Sequence, residues 1–182
     1  MRVIAGKARG IQLQTPQGML TRPTTDRVKE ALFSILQFEL PGAKVLDLFG
    51  GTGQLGIEAL SRGASRAVFV DSSREACQLI RSNLKKTHLE QDAVVIQRDY
   101  MDYLNQCHEQ FRLILLDPPY AEVFLENSIK RITEIDILQS NGIIATERPL
   151  GKELPWEFPG FTRSKDYKYG QILLTFYRKN EE

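Results

Sequence analysis

The chain has 182 residues, of which 42% are hydrophobic and 26% charged, and its formal net charge is +1. This length predicts one domain with a substantial core, and the composition excludes a disordered or disulfide-rich chain. A net charge this close to zero identifies no class of partner.

Cysteine and histidine are scarce in this sequence. Cys77 and Cys107 lie far apart and form no Cys-x-x-Cys motif, and His88 and His108 are the only histidines. Neither pair has the spacing of a metal site, so we expect no bound metal. The sequence has no signal peptide and no apolar stretch of membrane-spanning length, which predicts a cytoplasmic protein with reduced thiols.

The first 25 residues contain no acid and four basic side chains: Arg2, Lys7, Arg9 and Arg22. Apolar residues alternate loosely over residues 2–15 around Gly6 and Gly10, which predicts a small hairpin. The basic residues form either a phosphate-contacting patch or a solvated segment, and the sequence leaves both interpretations open.

A helix is predicted to begin near Thr24, Thr25 or Asp26, because each of these side chains can cap a helix. Its apolar face would consist of Val28, Ala31, Leu32, Ile35 and Leu36. Arg22 and Arg27 flank the helix start. They either face a ligand such as RNA or are surface charges around the cap.

A glycine-rich turn, Phe49-Gly50-Gly51-Thr52-Gly53, follows a predicted buried strand at residues 44–48. Gly51, Gly53 and Gly56 match the G-x-G-x-x-G fingerprint, in which glycines let the backbone approach a ligand at a helix start. A second strand at residues 67–70 ends at Asp71 and Ser72, where a carboxylate can bind ribose hydroxyls. Strand, turn, helix, strand and acid together predict a nucleoside-binding site.

Asp47 indicates which nucleoside ligand this site takes. A carboxylate inside the first strand can hold an ammonium group, whereas it would repel a pyrophosphate. Asp47 and the turn therefore favour S-adenosylmethionine over a dinucleotide. Asp99, after a predicted strand at residues 93–97, either binds the adenine amino group or caps the next helix. Tyr100 is placed to line the adenine pocket.

The most informative motif is Asp117-Pro118-Pro119-Tyr120, which we call the bracket. It follows four consecutive apolar residues at 113–116, a pattern typical of a strand buried on both faces of a parallel sheet. The prolines make a stiff exit at the carboxyl end of that strand, where open α/β sheets bind ligands.

The chemistry of the bracket suits an exocyclic amine on a nucleobase. The Asp117 carboxylate and the Pro118 carbonyl can accept its two hydrogens and aim the nitrogen lone pair at an electrophile. Tyr120 can stack on the base. We therefore predict Asp117, Pro118, Pro119 and Tyr120 as the catalytic residues.

The remaining sequence predicts a helix around Ile129, a strand at 142–146, an irregular stretch at 148–159, and two closing strands at 161–167 and 171–177 joined by Lys168-Tyr169-Gly170. Glu147, at the end of the first of these strands, is predicted to be structural. Alternating β and α units followed by a hairpin indicate a doubly wound α/β sheet with an antiparallel edge.

These motifs resemble the bacterial methyltransferase family that modifies the exocyclic N2 of a guanine in small-subunit ribosomal RNA. The resemblance covers nearly the whole chain and rests on residues 22–30, 47–53, 117–120 and 169–170. The first of these, Arg-Pro-Thr-Thr-Asp-Arg-Val-Lys-Glu, is the most specific, since the second and third recur in many amino-methyltransferases.

The resemblance implies a Rossmann-like, seven-stranded methyltransferase sheet with an antiparallel terminal hairpin, preceded by a small N-terminal β-hairpin. It implies one methyltransferase domain over residues 1–182, in which 1–25 contact RNA and 26–182 form the catalytic core. The implied cofactor is S-adenosylmethionine, and the implied partner of this monomer is ribosomal RNA or an assembling small subunit. The implied substrate-binding residues are Arg9, Arg22, Thr24, Thr25 and Arg27.

Three other functions remain open from the sequence. A DNA adenine N6-methyltransferase uses the same bracket, and an NAD-dependent oxidoreductase would explain the glycine fingerprint with Asp71. A catalytically silent RNA-binding module would explain the basic N-terminus. The last two leave the bracket without a role.

Overall fold

The computed structural model describes residues 1–16, 25–119, 122–151 and 153–180. These ranges contain five α-helices: α1 Asp26–Ile35, α2 Gln54–Ser61, α3 Arg74–Thr87, α4 Tyr100–Asn105 and α5 Glu122–Ile135. They also contain nine strands: β1 Lys44–Asp47, β2 Arg66–Asp71, β3 Ala93–Gln97, β4 Phe111–Leu116, β5 Leu138–Pro149, β6 Glu157–Phe158, β7 Phe161–Arg163, β8 Tyr167–Tyr169 and β9 Ile172–Lys179. No helix in these ranges is long and apolar enough to cross a lipid bilayer.

The strands form a single mixed sheet in the order β3-β2-β1-β4-β5-β9-β7-β6, and β8 pairs with β9. Strands β1 to β5 are parallel, whereas β9 runs antiparallel to β5. The predicted α/β fold with an antiparallel end is confirmed. The described sheet has nine strands rather than seven, because it also includes the short β6 and β8. The order reverses between β1 and β4, and ligands of such sheets bind at that point, beyond the carboxyl ends of the strands.

The central strand β4 has four consecutive apolar residues because both of its faces are buried. Leu113 and Leu115 face one core with α1, α2 and α3, while Ile114 and Leu116 face a second core with α4 and α5. All four side chains are buried. Because helices cover both faces, each of these four residues contacts apolar neighbours, as the sequence predicted.

The N-terminal segment is fastened to α2. Arg2 and Gln12 form one antiparallel bridge, so the predicted hairpin is present in a reduced form. The buried Glu58 carboxylate accepts hydrogen bonds from the backbone N–H groups of Ile4 and Ala5, at 2.8 and 3.1 Å. These contacts take the place of further strand pairing.

Gly6 makes the closest approach in this segment, and its replacement is expected to detach the segment from α2. It has φ +84°, and a Cβ there would lie 1.8 Å from the Ser61 carbonyl oxygen. Gly10 has the same φ but open space around it, so it is a matched control. We expect Gly10→Ala to cost about 1–2 kcal/mol from backbone strain alone. Gly6→Ala should cost roughly 1–3 kcal/mol more from the steric clash, as measured by urea unfolding.

The C-terminal third departs from the prediction. Strand β5 begins at Leu138 and continues to Pro149, because the antiparallel β9 supplies partners as far as Pro149↔Ile172. The predicted strand at 161–167 is instead two short strands, β7 and β8, which pair with opposite ends of β9. The turn lies at Gly170, whose φ is +62°, and residues 167–169 are therefore strand rather than loop. The stretch predicted as irregular, 148–159, contains the end of β5 and the edge strand β6.

Candidate active site

A cleft of about 950 Å³ opens at the carboxyl edge of the sheet, where β1 and β4 diverge. It brings together most of the residues predicted as cofactor-binding or catalytic: Asp47, Phe49, Gly50, Gly51, Thr52, Asp71, Ser72, Asp99, Tyr100, Asp117, Pro118 and Pro119. They lie together because each follows or ends a parallel strand, and the carboxyl ends of these strands meet at one edge.

The glycine turn forms one wall of the cleft. Gly51 and Gly53 have φ +55° and +80°, values that favour glycine, and α2 begins directly after Gly53. Gly53 itself shapes the turn and does not line the cleft. Asp71 fixes this turn to β2, because its carboxylate accepts hydrogen bonds from Gly51 N at 2.9 Å and Ser73 N at 2.9 Å. Each carboxylate oxygen retains a lone pair that a ribose hydroxyl can use.

Asp47 lies at the base of the cleft and is only 1% exposed. Its carboxylate accepts one hydrogen bond, from Gly56 N at 3.0 Å. Burial raises the pKa of Asp47 to about 7, and the nearby Asp71 contributes in the same direction. Gln54, another cleft residue, has a buried side-chain oxygen without a hydrogen-bond partner. A buried carboxylate with one hydrogen bond and a nearby buried oxygen with none fit a cationic group such as an ammonium.

This pKa shift predicts how stability varies with pH. The ordinary pKa of 3.8 applies to the unfolded chain and about 7 to the folded one, so between these values unfolding releases a proton. The free energy of unfolding contributed by Asp47 therefore falls as pH rises from about 4 to about 7, by at most about 4 kcal/mol. Asp47→Asn should remove this component. Urea unfolding of both proteins across this range tests it, and a pH-independent difference between them would refute it.

An aromatic cluster forms another wall of the cleft. The rings of Phe49 and Tyr100 lie 5.2 Å apart, and Phe124 on α5 meets Tyr100 edge-on at 5.4 Å. Asp99 is the N-cap of α4 and accepts from Met101 N at 2.8 Å. The capping role is thus observed, and Asp99 also lines the cleft. Phe124 was not predicted from the sequence, since an aromatic residue in a helix carries no sign of which neighbour it contacts.

The bracket begins directly after β4. Asp117 and Pro118 are half-buried, Pro119 is exposed, and all three line the cleft. Tyr120 lies outside the described residues. Leu116 pairs with Thr146 of β5, so the residues that follow these two, on neighbouring strands, enter the cleft side by side. Glu147, predicted as structural, is one of them and lines the cleft.

A buried cluster of charges lies at this end of the cleft and was not predicted. The Arg148 guanidinium, 2% exposed, donates to Thr175 Oγ1 at 3.0 Å and to Asp166 Oδ2 at 2.6 Å. Arg163 donates to the same Asp166 oxygen at 2.6 Å. Arg148 and Arg163 share the Asp166 carboxylate, and these contacts hold β5, β9 and the loop before β8 together.

Asn83 of α3 connects the N-terminal segment to the glycine turn. Its buried amide donates to the carbonyl oxygens of Gln14, at 3.1 Å, and Thr52, at 2.9 Å. Its side-chain oxygen accepts from Gln14 N at 2.7 Å. Pro16, which follows, lines the cleft. Gln14 and the glycine turn are thus held by the same side chain.

The predicted substrate-binding residues fall into three groups. Thr25 caps α1, with its hydroxyl accepting from Val28 N at 3.3 Å, and Arg27 is exposed on the first turn. Arg9 is exposed in a turn beside the C-terminus of α2 and does not line the cleft. Arg22 and Thr24 lie outside the described residues.

Within the described ranges, no group of three or more His, Cys, Asp or Glu side chains is arranged to hold a metal ion.

Comparison with known proteins assigns the chain to a family. The family described as Conserved hypothetical protein 95 matches residues 1–178. The chain belongs to this family. YlbH of Bacillus subtilis is 39% identical over 182 residues, covering 98% of this chain and 99% of that protein. Ribosomal RNA small subunit methyltransferase D of Escherichia coli K12 is 31% identical, covering 100% of this chain and 91% of that protein.

The solved structures agree with the fold of this family member. The structure of yhhF from Escherichia coli superposes with a TM-score of 0.90 at 30% identity, covering 100% of this chain and 99% of that one. The family resemblance inferred from the sequence motifs is confirmed by these relatives.

Proposed function

We propose that this protein transfers a methyl group from S-adenosylmethionine to the exocyclic N2 amine of a guanine in small-subunit ribosomal RNA. One observation carries the proposal: a single cleft is lined by Asp117, Pro118 and Pro119 of the bracket and by carboxylates and aromatic rings suited to a nucleoside with an ammonium group. The name of the Escherichia coli relative supports the RNA substrate. A cytoplasmic location and a monomeric state are part of the same proposal.

The residues at the cofactor end fit S-adenosylmethionine. Asp47 and the orphaned Gln54 oxygen would hold the methionine ammonium, and the Asp71 carboxylate would bind the ribose hydroxyls. Phe49 and Tyr100 would enclose the adenine. Gly50 lets the turn pack tightly on the core, because a Cβ would lie 2.8 Å from the Ile80 Cδ1 atom. When bound, the cofactor supplies an electrophilic methyl group on a positively charged sulfur.

The bracket would prepare the acceptor. The lone pair of an aromatic amine is delocalised into the ring, so this nitrogen is a poor nucleophile. Asp117 and the Pro118 carbonyl would accept its two hydrogens, favour a more tetrahedral nitrogen and direct the lone pair toward the cofactor end of the cleft. Alignment of this kind supplies at most roughly 7–11 kcal/mol of the barrier reduction.

The methylated nitrogen must lose a proton, which passes to the Asp117 carboxylate or to water. A base must also leave its stack to reach a cleft of this depth, and single-stranded or flipped nucleotides are the usual substrates of such sites. Tyr120, which follows the bracket prolines, would stack on the flipped guanine.

The alternatives differ in what they explain. An NAD-dependent oxidoreductase would place a pyrophosphate near the buried Asp47, whose carboxylate would repel it, and a silent RNA-binding module leaves the bracket without a role. A DNA adenine N6-methyltransferase keeps the whole mechanism and changes only the acceptor. The acceptor is therefore what the experiment must identify.

The test is methyl transfer from radiolabelled S-adenosylmethionine to purified small-subunit RNA, partly assembled small subunits and duplex DNA. Digestion of each product to nucleosides identifies the methylated base. We expect label in N2-methylguanosine from RNA or subunits and none from DNA. Label in N6-methyladenine of DNA, or binding of NAD in preference to S-adenosylmethionine, would overturn the proposal.

A further inference from the structure

A groove of about 370 Å³ adjoins the acceptor end of the cleft, with which it shares Glu147 and Ile172. It lies between the start of α1 and the β8–β9 turn. The two cavities share a wall, so the groove is the adjoining space for a chain whose one base sits at Asp117 and Pro118.

The groove contains two cations that form no ion pair with a described residue, and one acid, Glu147, lines the wall that it shares with the cleft. Arg27 and Lys168 line it from opposite sides and both are exposed. Neither side chain forms a hydrogen bond or ion pair with any residue in the described ranges. Asp26, the acid next to Arg27, is paired with Arg2 at 2.9 Å and leaves the charge of Arg27 available.

An aromatic side chain lies beside these charges. Tyr169 is half-buried against the core and lines the groove next to Lys168. Its ring pairs with no other aromatic ring among the described residues. Cations that contact a phosphate backbone, next to a ring on which a base stacks, are the usual composition of a single-stranded nucleic-acid site.

We infer that this groove binds the RNA strand adjoining the target guanine, with Arg27 and Lys168 on a phosphodiester and Tyr169 against the neighbouring base or ribose. The inference rests on the proposed function, because it extends the path of the strand whose guanine occupies the bracket. It assigns to Lys168 and Tyr169 a role that their sequence context did not indicate.

The test uses the double variant Arg27→Gln/Lys168→Gln. Lys85→Gln/Lys86→Gln removes the same charge from the last turn of α3, at the opposite end of that helix from the cleft, and serves as the control. Binding of a fluorescent single-stranded RNA with one central guanine is measured at several salt concentrations with S-adenosylhomocysteine present. We expect the groove variant to bind at least about tenfold more weakly. Because both side chains contact the same phosphodiester, the salt slope of log K should also fall by about 0.7.

Uncharged linkages in the RNA backbone identify which phosphodiester Arg27 and Lys168 contact. A methylphosphonate next to the guanine, placed on one side and then the other, should weaken binding by the wild-type protein at one linkage and have little effect on the groove variant. Equal sensitivity of both proteins at every linkage, or a groove variant indistinguishable from the control, would overturn the inference.

Failure of the inference can be distinguished from failure of the proposed function. If the wild-type protein forms N2-methylguanosine in RNA but the groove variant matches the control, only the groove assignment is wrong. If the wild-type protein methylates no RNA and binds it no better than either variant, both are wrong.

Discussion

Asp117→Ala is expected to lower the rate of methyl transfer by about 10³-fold or more while leaving the affinity for S-adenosylmethionine unchanged. The carboxylate would act only on the acceptor amine, holding one hydrogen and directing the lone pair, and such groups contribute roughly 10²- to 10⁴-fold. Single-turnover rates with small-subunit RNA, together with calorimetric titration of the cofactor, separate the two effects.

Asp117→Asn provides a graded control for this experiment. Asparagine keeps an acceptor oxygen in the same place but loses the charge that favours proton transfer. It should therefore retain more activity than alanine and less than the wild-type protein. Loss of cofactor affinity in the alanine variant would contradict the division between an acceptor-holding bracket and a cofactor-holding turn.

Asp47→Asn is expected to raise the Kd for S-adenosylmethionine about 10- to 100-fold near pH 8. Asparagine is nearly isosteric and can still accept from Gly56 N, so the change removes mainly the charge that attracts the ammonium group. A hydrogen bond to a charged partner is worth about 1.5–3 kcal/mol, which sets the size of the effect.

The pH dependence makes this second prediction sharper. The pKa of Asp47 in the free protein is raised to about 7, so cofactor binding below that pH must first remove a proton. The wild-type Kd should rise about tenfold per pH unit below 7, whereas that of the asparagine variant should stay flat. 5′-Methylthioadenosine, which lacks the amino-acid portion, is the matched ligand and should be insensitive to both changes. Equal losses for the two ligands would refute a contact between Asp47 and the ammonium.

The parts of the fold that depend on local pattern were predictable. Four apolar residues before Asp117 predict a strand covered on both faces, and β4 has that environment. The glycines of the turn and the acid at Asp71 have a fixed relation within one βαβ unit, so sequence spacing alone brings them together. Thr25 was one of three possible caps, and the structure selects it.

The features that depend on strand neighbours were not predictable. Arg148, Arg163 and Asp166 meet because β9 lies between β5 and β7, an order that no local pattern contains. The same long strand pairs with both β7 and β8, which explains why the closing hairpin was predicted with its turn in the wrong place. Likewise, the groove between Arg27 and Lys168 joins residues from opposite ends of the chain.

The most direct test of the central claim is nucleoside analysis of small-subunit RNA from cells that lack this gene. Mass spectrometry should show the loss of one N2-methylguanosine, which the purified wild-type protein and S-adenosylmethionine restore to the isolated subunits or their RNA. The Asp117→Ala protein should not restore it. An unchanged set of N2-methylguanosines in the deletion strain, or full restoration by Asp117→Ala, would contradict the account.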